Sequence, residues 1–510
     1  MITLLFFATI ANAGVADEVM QALDRHAVSD AMQLVEEFSL AESASGDSLA
    51  LAARVHFHAG DFKGAVSLLE RASSAGWVDE YGQQALYGAT VEATARFVQF
   101  DDPVVRVRYA AGVEAVMVPK TIEVITKARK WIAPLIGETP TSSVQVEIYP
   151  TGRDFIAASS LPKEAVQTTG VVALSKWSRL LITSPRALGR GYGWQDTVAH
   201  EYVHYLVSAA SNDQVPVWLQ EGTAKVLENR WRTGEDQFRL ESSARNQLAS
   251  ALKVGELVPF EAMHPSLALL PSAEMASLAY AQLATLVSYC MKTAGDDVLV
   301  QTFSAIRSGV DPRKALATAV GFADFAALED AWRIDLKKTL TVGLDGAVAT
   351  GFSLDTGSAS AADPILRERA DLARWLRIGE ILAAGGEHTA ALVEYARARS
   401  EDGPSSPLLS NRIAEAQVAL GNVDAALEEL RTSLQYFPEY ALTHETMGAL
   451  LLKRGDGAEA LNAYRLAVDL DPFSIEAQRA LAKLYKETSN EGAAKAHARY
   501  LRILELGGEE

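Results

Sequence analysis

From about Val15 to Phe100 apolar positions recur at helical spacing, alanine and leucine dominate, and proline is absent, which predicts an all-helical segment. The rhythm then changes. Val104 to Ala110 (VVRVRYA) and Val144 to Tyr149 (VQVEIY) alternate in strand fashion, and Gly170 to Ser184 (GVVALSKWSRLLITS) reads as two strands joined by a short turn. Ile122 to Ile136 reads as a helix between the first two strands, and a glycine-rich approach, Gly189 to Trp194, leads into a helix beginning near Asp196. Strands and helices mixed over this stretch predict an α+β domain across residues 101–340.

Beyond it, Gly, Ser and Ala content marks residues 341–371 as a flexible linker, and helical periodicity returns over residues 372–508. Gly421 and Gly455, Ala426 and Ala460, Leu427 and Leu461, and Pro438 and Pro472 are pairs at a fixed period of 34 residues, which resembles tetratricopeptide repeats. Gly448, Ala460, Tyr464, Ala467 and Pro472 occupy small, aromatic and proline positions of that consensus, and Gly386, Ala391 and Tyr395 mark an earlier degenerate unit. Small residues there let paired helices approach, and stacked pairs bury a core that one pair cannot bury alone. A similar pattern runs through Leu51 to Ala72, so residues 14–100 read as tetratricopeptide-like as well. The resemblance implies a protein partner docked on the repeats.

At about 150 residues per domain, 510 residues fit this multidomain division. Residues 1–13 (MITLLFFATIANA) resemble a secretory signal peptide, which predicts a periplasmic or extracellular location, although no Lys or Arg precedes the apolar run. Elsewhere nothing offers the apolar length of a transmembrane span. A net charge of −18 without a basic patch argues against nucleic acid as a partner. Cys290, the single cysteine, excludes intramolecular disulfides and cysteine-rich metal sites and reads as a buried small hydrophobe. A metal here must be held by histidine and carboxylate.

The helix near Asp196 contains His200-Glu201-Tyr202-Val203-His204. Four residues is just over one turn, so both imidazoles project from one face, with Glu201 about 100° around the helix, a geometry suited to zinc. Glu221 follows in Val215-Pro216-Val217-Trp218-Leu219-Gln220-Glu221-Gly222-Thr223-Ala224, where Pro216 suits a helix start and Gly222 allows close helix packing. HEYVH followed by VPVWLQEGTA resembles the gluzincin zinc metallopeptidases, closest to their peptidase MA-like members. The resemblance implies Zn2+ held by His200, His204 and Glu221, with Glu201 as general base for a zinc-activated water that attacks a peptide bond of a peptide or protein substrate.

Several gluzincins supply an oxyanion donor from a tyrosine on a later helix. Tyr280, opening an apolar helix, is the candidate, with Tyr289, His264 and Tyr192 as weaker alternatives. The chain departs from the thermolysin pattern at Lys225, where an acidic residue would orient a histidine. Asp196 suits a helix N-cap better than an imidazole partner. No G-x-M-E-N segment anchors a substrate amino terminus, which weighs against exopeptidase action, and Val171 to Ile182 is the candidate edge strand for an extended substrate. His26, His56, His58, His388, His444 and His497 have no ligand-spaced companion.

The expected architecture is therefore an α+β zincin-like metallopeptidase domain flanked by all-α tetratricopeptide-like repeat regions. An intact base and three candidate ligands favour a zinc metallopeptidase. The alternative is a catalytically inactive peptidase-like scaffold for protein binding or assembly.

Overall fold

The computed structural model describes residues 14–39, 44–138, 140–162, 170–189, 191–264, 266–347, 370–399 and 406–508. The expected signal peptide, Arg190 and residues 348–369 of the expected linker lie outside them. Among the described residues no helix is long and apolar enough to cross a membrane.

Helices α1 (14–24), α2 (Val28–Ser39), α3 (Gly46–His58), α4 (Phe62–Ser74) and α5 (Gln83–Ala93) form an N-terminal module. Its core is built from Ala52, Ala53, Val55, Phe57, Ala65, Leu69 and Ala72, all fully buried. The expected helical segment ends earlier than Phe100. Phe97–Asp101 is strand β1, because aromatic and β-branched side chains there continue a hairpin with β2 (Val105–Ala110).

Strands β3 (Val144–Tyr149), β4 (Ala173–Lys176) and β5 (Arg179–Thr183) complete a sheet of order β1-β2-β3-β5-β4. β2, β3 and β5 run parallel, while β1 and β4 close the edges antiparallel. The helix expected over Ile122–Ile136 breaks into α6 (Val118–Trp131) and a turn α7 (Ala133–Ile136), since Pro134 cannot continue a helix. A one-turn-longer helix α8 (Gly152–Ser159) follows β3.

Alternation in β3 suggests a strand with one face in water, yet all six of its residues are buried. Val144, Val146 and Ile148 lie on the face that carries Val105 and Val107 of β2 and Leu180 and Ile182 of β5, packed on α6 and the long helix α9 (Trp194–Ser211). Gln145, Glu147 and Tyr149 face the other way, where the N-terminal module covers them. Glu147, with a fully buried side chain, accepts hydrogen bonds from Arg179 (2.7 Å), Arg108 (3.0 Å), Gln145 (2.9 Å) and Tyr149 (2.8 Å). Gly60, at φ 81°, fits against this network: a Cβ would meet the Gln145 amide at 2.6 Å, and its carbonyl accepts from Arg108.

The central region continues through α10 (Val217–Leu227), α11 (Ser242–Val254), α12 (Ala273–Ala294), α13 (Asp297–Arg307), α14 (Pro312–Val320) and α15 (Phe325–Thr339). The first residues of the expected linker are docked on α11: Asn246 donates to the Leu344 carbonyl at 2.7 Å and Arg245 to the Thr341 hydroxyl at 3.2 Å.

Paired helices then follow as α16 (Ala370–Ala384), α17 (His388–Ala398), α18 (Pro407–Ala419), α19 (Val423–Tyr436), α20 (Ala441–Arg454), α21 (Gly457–Leu470), α22 (Ile475–Glu487) and α23 (Glu491–Glu505). First helices start at Pro407, Ala441 and Ile475 and second helices at Val423, Gly457 and Glu491, which carries the 34-residue period into the structure. The pairs do not stand apart from the central region. Phe473, Tyr500, Ile503 and Leu504 join its core, and Gln195 at the start of α9 donates to Asp469 at 2.9 Å.

Candidate metal centre

Helix α9 is buried along most of its length, with Val198, Ala199, Val203, Leu206 and Val207 in the core, so its one polar stripe is fixed in orientation. His200 and His204 lie on that stripe, and their Nε2 atoms are 3.1 Å apart. The next helix, α10, brings Glu221 Oε2 to 3.4 Å from His200 Nε2 and 3.5 Å from His204 Nε2. Among the described residues these three are the group of His, Cys, Asp or Glu side chains whose donor atoms converge closely enough to hold an ion. Their side chains are 15%, 13% and 17% exposed, so the cluster is reachable from one side.

Gly222 sets the next neighbour. A Cβ there would lie 2.8 Å from the Leu283 carbonyl, so α10 and α12 approach backbone to backbone beside the cluster. Tyr280 stands one turn before Leu283 on α12, where burial, reinforced by the field of Glu221, Glu201 and Glu228, raises its phenol well above the ordinary tyrosine value. Tyr192 is committed elsewhere: its hydroxyl donates to the Thr183 carbonyl at 2.6 Å. Tyr289 packs partly buried in the core, and His264 is exposed at the end of a short 3-10 turn.

Glu201, 7% exposed, is raised by burial; His204 and His200 work against the shift, Glu221 adds to it, and a hydrogen bond from the Ser175 backbone N–H opposes it. Ser175 belongs to β4, the edge strand within the segment expected to face an extended substrate. For Glu221, burial is overcome by the two imidazoles and the carboxyl is held low. Burial likewise opposes the charged form of His200, but Glu221 and Glu228 outweigh it and raise that imidazole to about 10.

Sequence reasoning missed the groups behind the cluster. His200 Nδ1 meets Glu228 Oε2 at 2.9 Å, and His204 Nδ1 meets Gln220 Oε1 at 3.3 Å, the Gln220 amide being held by donation to the Val215 carbonyl. Glu228 lies seven residues after Glu221, two turns along one helix face, a spacing that could have signalled it. Lys225 does not reach an imidazole. It pairs with Glu228 Oε1 at 2.8 Å and steadies the carboxylate that does. Asp196 is neither a cap nor an imidazole partner: Gly193 is the N-cap of α9, while Asp196 accepts from Trp231 at 2.7 Å and pairs with Arg232 at 2.9 Å.

All of these residues fall in one stretch. Residues 125–338 match the Peptidase MA superfamily. A curated relative, the small glutamine-rich tetratricopeptide repeat-containing protein 2 of Mycosarcoma maydis, is 25% identical over 111 residues, 22% of this chain and 31% of that protein. The chain thus spans about a third of that relative's length. Among solved structures, MamA (41-end) from Desulfovibrio magneticus RS-1 is 20% identical and covers 28% of this chain and 82% of its own, with a TM-score of 0.25. YrrB, described as a TPR protein with an unusual peptide-binding site, is 16% identical over 27% of this chain and 89% of its own, with a TM-score of 0.20. Native yeast LTA4 hydrolase is 12% identical over 81% of this chain and 67% of its own, with a TM-score of 0.29. Likenesses at these scores carry no inference about the arrangement of this chain.

Proposed function

We propose that this chain is a zinc-dependent peptidase of the gluzincin kind, with a zincin-like α+β domain over residues 101–340 between tetratricopeptide-like regions. The observation that carries the reading is the convergence of His200 Nε2, His204 Nε2 and Glu221 Oε2, at 3.1, 3.4 and 3.5 Å from one another. Donors at about 2.0–2.1 Å from a tetrahedral zinc stand about 3.3 Å apart, so the triangle has the size that ion requires. Glu221 Oε2 is buried without a hydrogen-bond partner, as a ligand oxygen would be. The donor set of two imidazoles and one carboxylate suits zinc and leaves a fourth position for water or substrate.

Bound there, zinc supplies Lewis acidity that polarises a carbonyl and makes water nucleophilic near neutral pH. The protein's own groups do the rest. Glu228 and Gln220 fix the tautomers and ring orientations of the two histidines, so each presents Nε2 to the site. Glu201 takes the proton of the attacking water and passes it to the leaving amine, with strand β4 packed against the helix that carries it. Tyr280 stays protonated in this field and can donate to the developing oxyanion. The free edge of β4 offers main-chain groups to an extended peptide, which supports cleavage within chains.

The apolar run Leu4 to Ile10 supports export, and the repeat pairs support docking of a protein partner. Metal analysis of the purified chain tests the reading. About one zinc per chain is expected in the wild type and far less in Glu221→Ala, together with cleavage of a mixed peptide library that a chelator abolishes. A wild-type chain with zinc that cleaves nothing would favour the scaffold alternative.

A further inference from the structure

The β4–β5 hairpin turns through Trp177 and Ser178, at φ 53° and 57°. A two-residue turn with both residues left-handed belongs to Asn-Gly or Gly-Gly sequences, and a tryptophan followed by a serine does not favour it locally. Tertiary contacts must therefore hold it. The Trp177 ring packs edge-on against Phe57 of α3 at 5.1 Å between centroids. The Ser178 hydroxyl, buried, lies 2.9 Å from His26 Nδ1 and 3.2 Å from His58 Nδ1. His26 itself sits at φ 58° after α1, stacked on Tyr205 of α9 with ring centroids 4.1 Å apart.

A hydroxyl has one proton and two lone pairs, so it can donate to one imidazole nitrogen and accept from the other. With both histidines neutral, that arrangement places them in opposite tautomers, one Nδ1 accepting and the other donating. Burial keeps them neutral: it pulls His26 down to about 4, with the Tyr205 carbonyl offsetting in part, and His58 well below its ordinary value, aided by Arg54 and Arg179. Three elements meet at this oxygen: the N-terminal module through His26 and His58, the hairpin through Ser178, and α9 through the ring stacked on His26. Three residues before Ser178 on the same hairpin, Ser175 belongs to β4, which packs against α9, the helix that carries Glu201.

We propose that Ser178 is a positioning residue: its hydroxyl, shared by His26 and His58, clasps the hairpin to the N-terminal module and so keeps β4 against Glu201. The N-terminal module is on this account part of the catalytic apparatus rather than only a docking surface. The catalytic consequence rests on the peptidase reading above; the clasp itself does not.

The test uses the full chain with Ser178→Ala and Ser178→Asn. Asparagine tolerates the left-handed conformation and keeps a group that can donate and accept. In Ser178→Ala, amide exchange at Leu174 to Lys176 is expected to rise at least about tenfold while β3 amides keep their protection. Zinc per chain stays at the wild-type value, and kcat/KM falls about tenfold through misplacement of the base. Ser178→Asn restores both exchange and kcat/KM to within about twofold of wild type. Wild-type exchange in Ser178→Ala would overturn the proposal, as would an increase spread equally through β3 and β5 in both variants. Should the wild-type chain cleave no peptide, the peptidase reading fails, and the exchange comparison alone decides the clasp.

Discussion

His200 Nδ1 meets the Glu228 carboxylate at 2.9 Å, and the same carboxylate receives Lys225 on its other oxygen at 2.8 Å. The residue that orients the first histidine thus comes from the end of α10, one turn beyond the position where Lys225 breaks the thermolysin pattern. The lysine pins the carboxylate by the oxygen that the imidazole does not use. Glu228→Gln keeps the shape and removes the charge that makes His200 a better donor. Zinc affinity, measured by competition with a chromophoric chelator, is expected to fall about 10- to 100-fold, with the fold intact by circular dichroism. An unchanged affinity would remove Glu228 from the site.

Gly222 is predicted to accept no side chain. Alanine there drives a methyl to 2.8 Å from the Leu283 carbonyl and 2.9 Å from Val287, and α12 must move away from α10. Gly222→Ala is expected to cost about 1–3 kcal/mol of stability in a denaturant titration. It is also expected to lower kcat more than zinc content, because α12 carries Tyr280.

The candidate cluster was legible in the sequence where it depends on spacing along a single helix, and the structure brings His200, His204 and Glu221 together. His200, Glu201 and His204 needed only the 3.6-residue turn, and Glu221 followed from its segment's resemblance. What stayed hidden depends on contacts between elements. Glu228 is hidden because the thermolysin pattern places its acidic residue four positions after Glu221, whereas this helix uses the same face again at seven. His26 and His58 looked isolated because their shared partner, Ser178, is 152 and 120 residues away. The burial of both faces of β3 is not legible locally, because nothing in VQVEIY says that an N-terminal helical module will cover its polar face. Repeats, by contrast, announce themselves through a period, and the helix starts at Pro407, Ala441 and Ile475 keep it.

That covered face yields a stability prediction. Glu147 balances Arg179, fully buried like itself, and Arg108, 17% exposed, so Glu147→Ala leaves a buried guanidinium without its carboxylate. A loss of about 3–5 kcal/mol is expected in chemical denaturation. A loss under about 1 kcal/mol would mean that water reaches the network in solution.

The clasp at Ser178 predicts acid lability. His26 and His58 are held neutral when the N-terminal module is docked, and they titrate near 6.5 when it is not, so the undocked form binds protons first. Stability from this junction is complete above about 6.5 and is lost as pH falls through the interval down to about 4, the value for His26. Arg54 and Arg179 act on His58 and add to the cost of a new positive charge there. The midpoint of thermal unfolding is expected to drop over that interval, with a smaller drop in His58→Gln. Equal acid sensitivity in the two proteins would contradict the assignment.

The central claim is peptide hydrolysis by Glu201 at a zinc held by His200, His204 and Glu221. Its most direct test is the cleavage of a peptide library by wild type and Glu201→Gln, each with its zinc content measured. Equal zinc, near one per chain, is expected in both proteins, with cleavage lost by at least about a thousandfold in the variant. Absence of zinc from the wild type, or cleavage by Glu201→Gln at the wild-type rate, would contradict it.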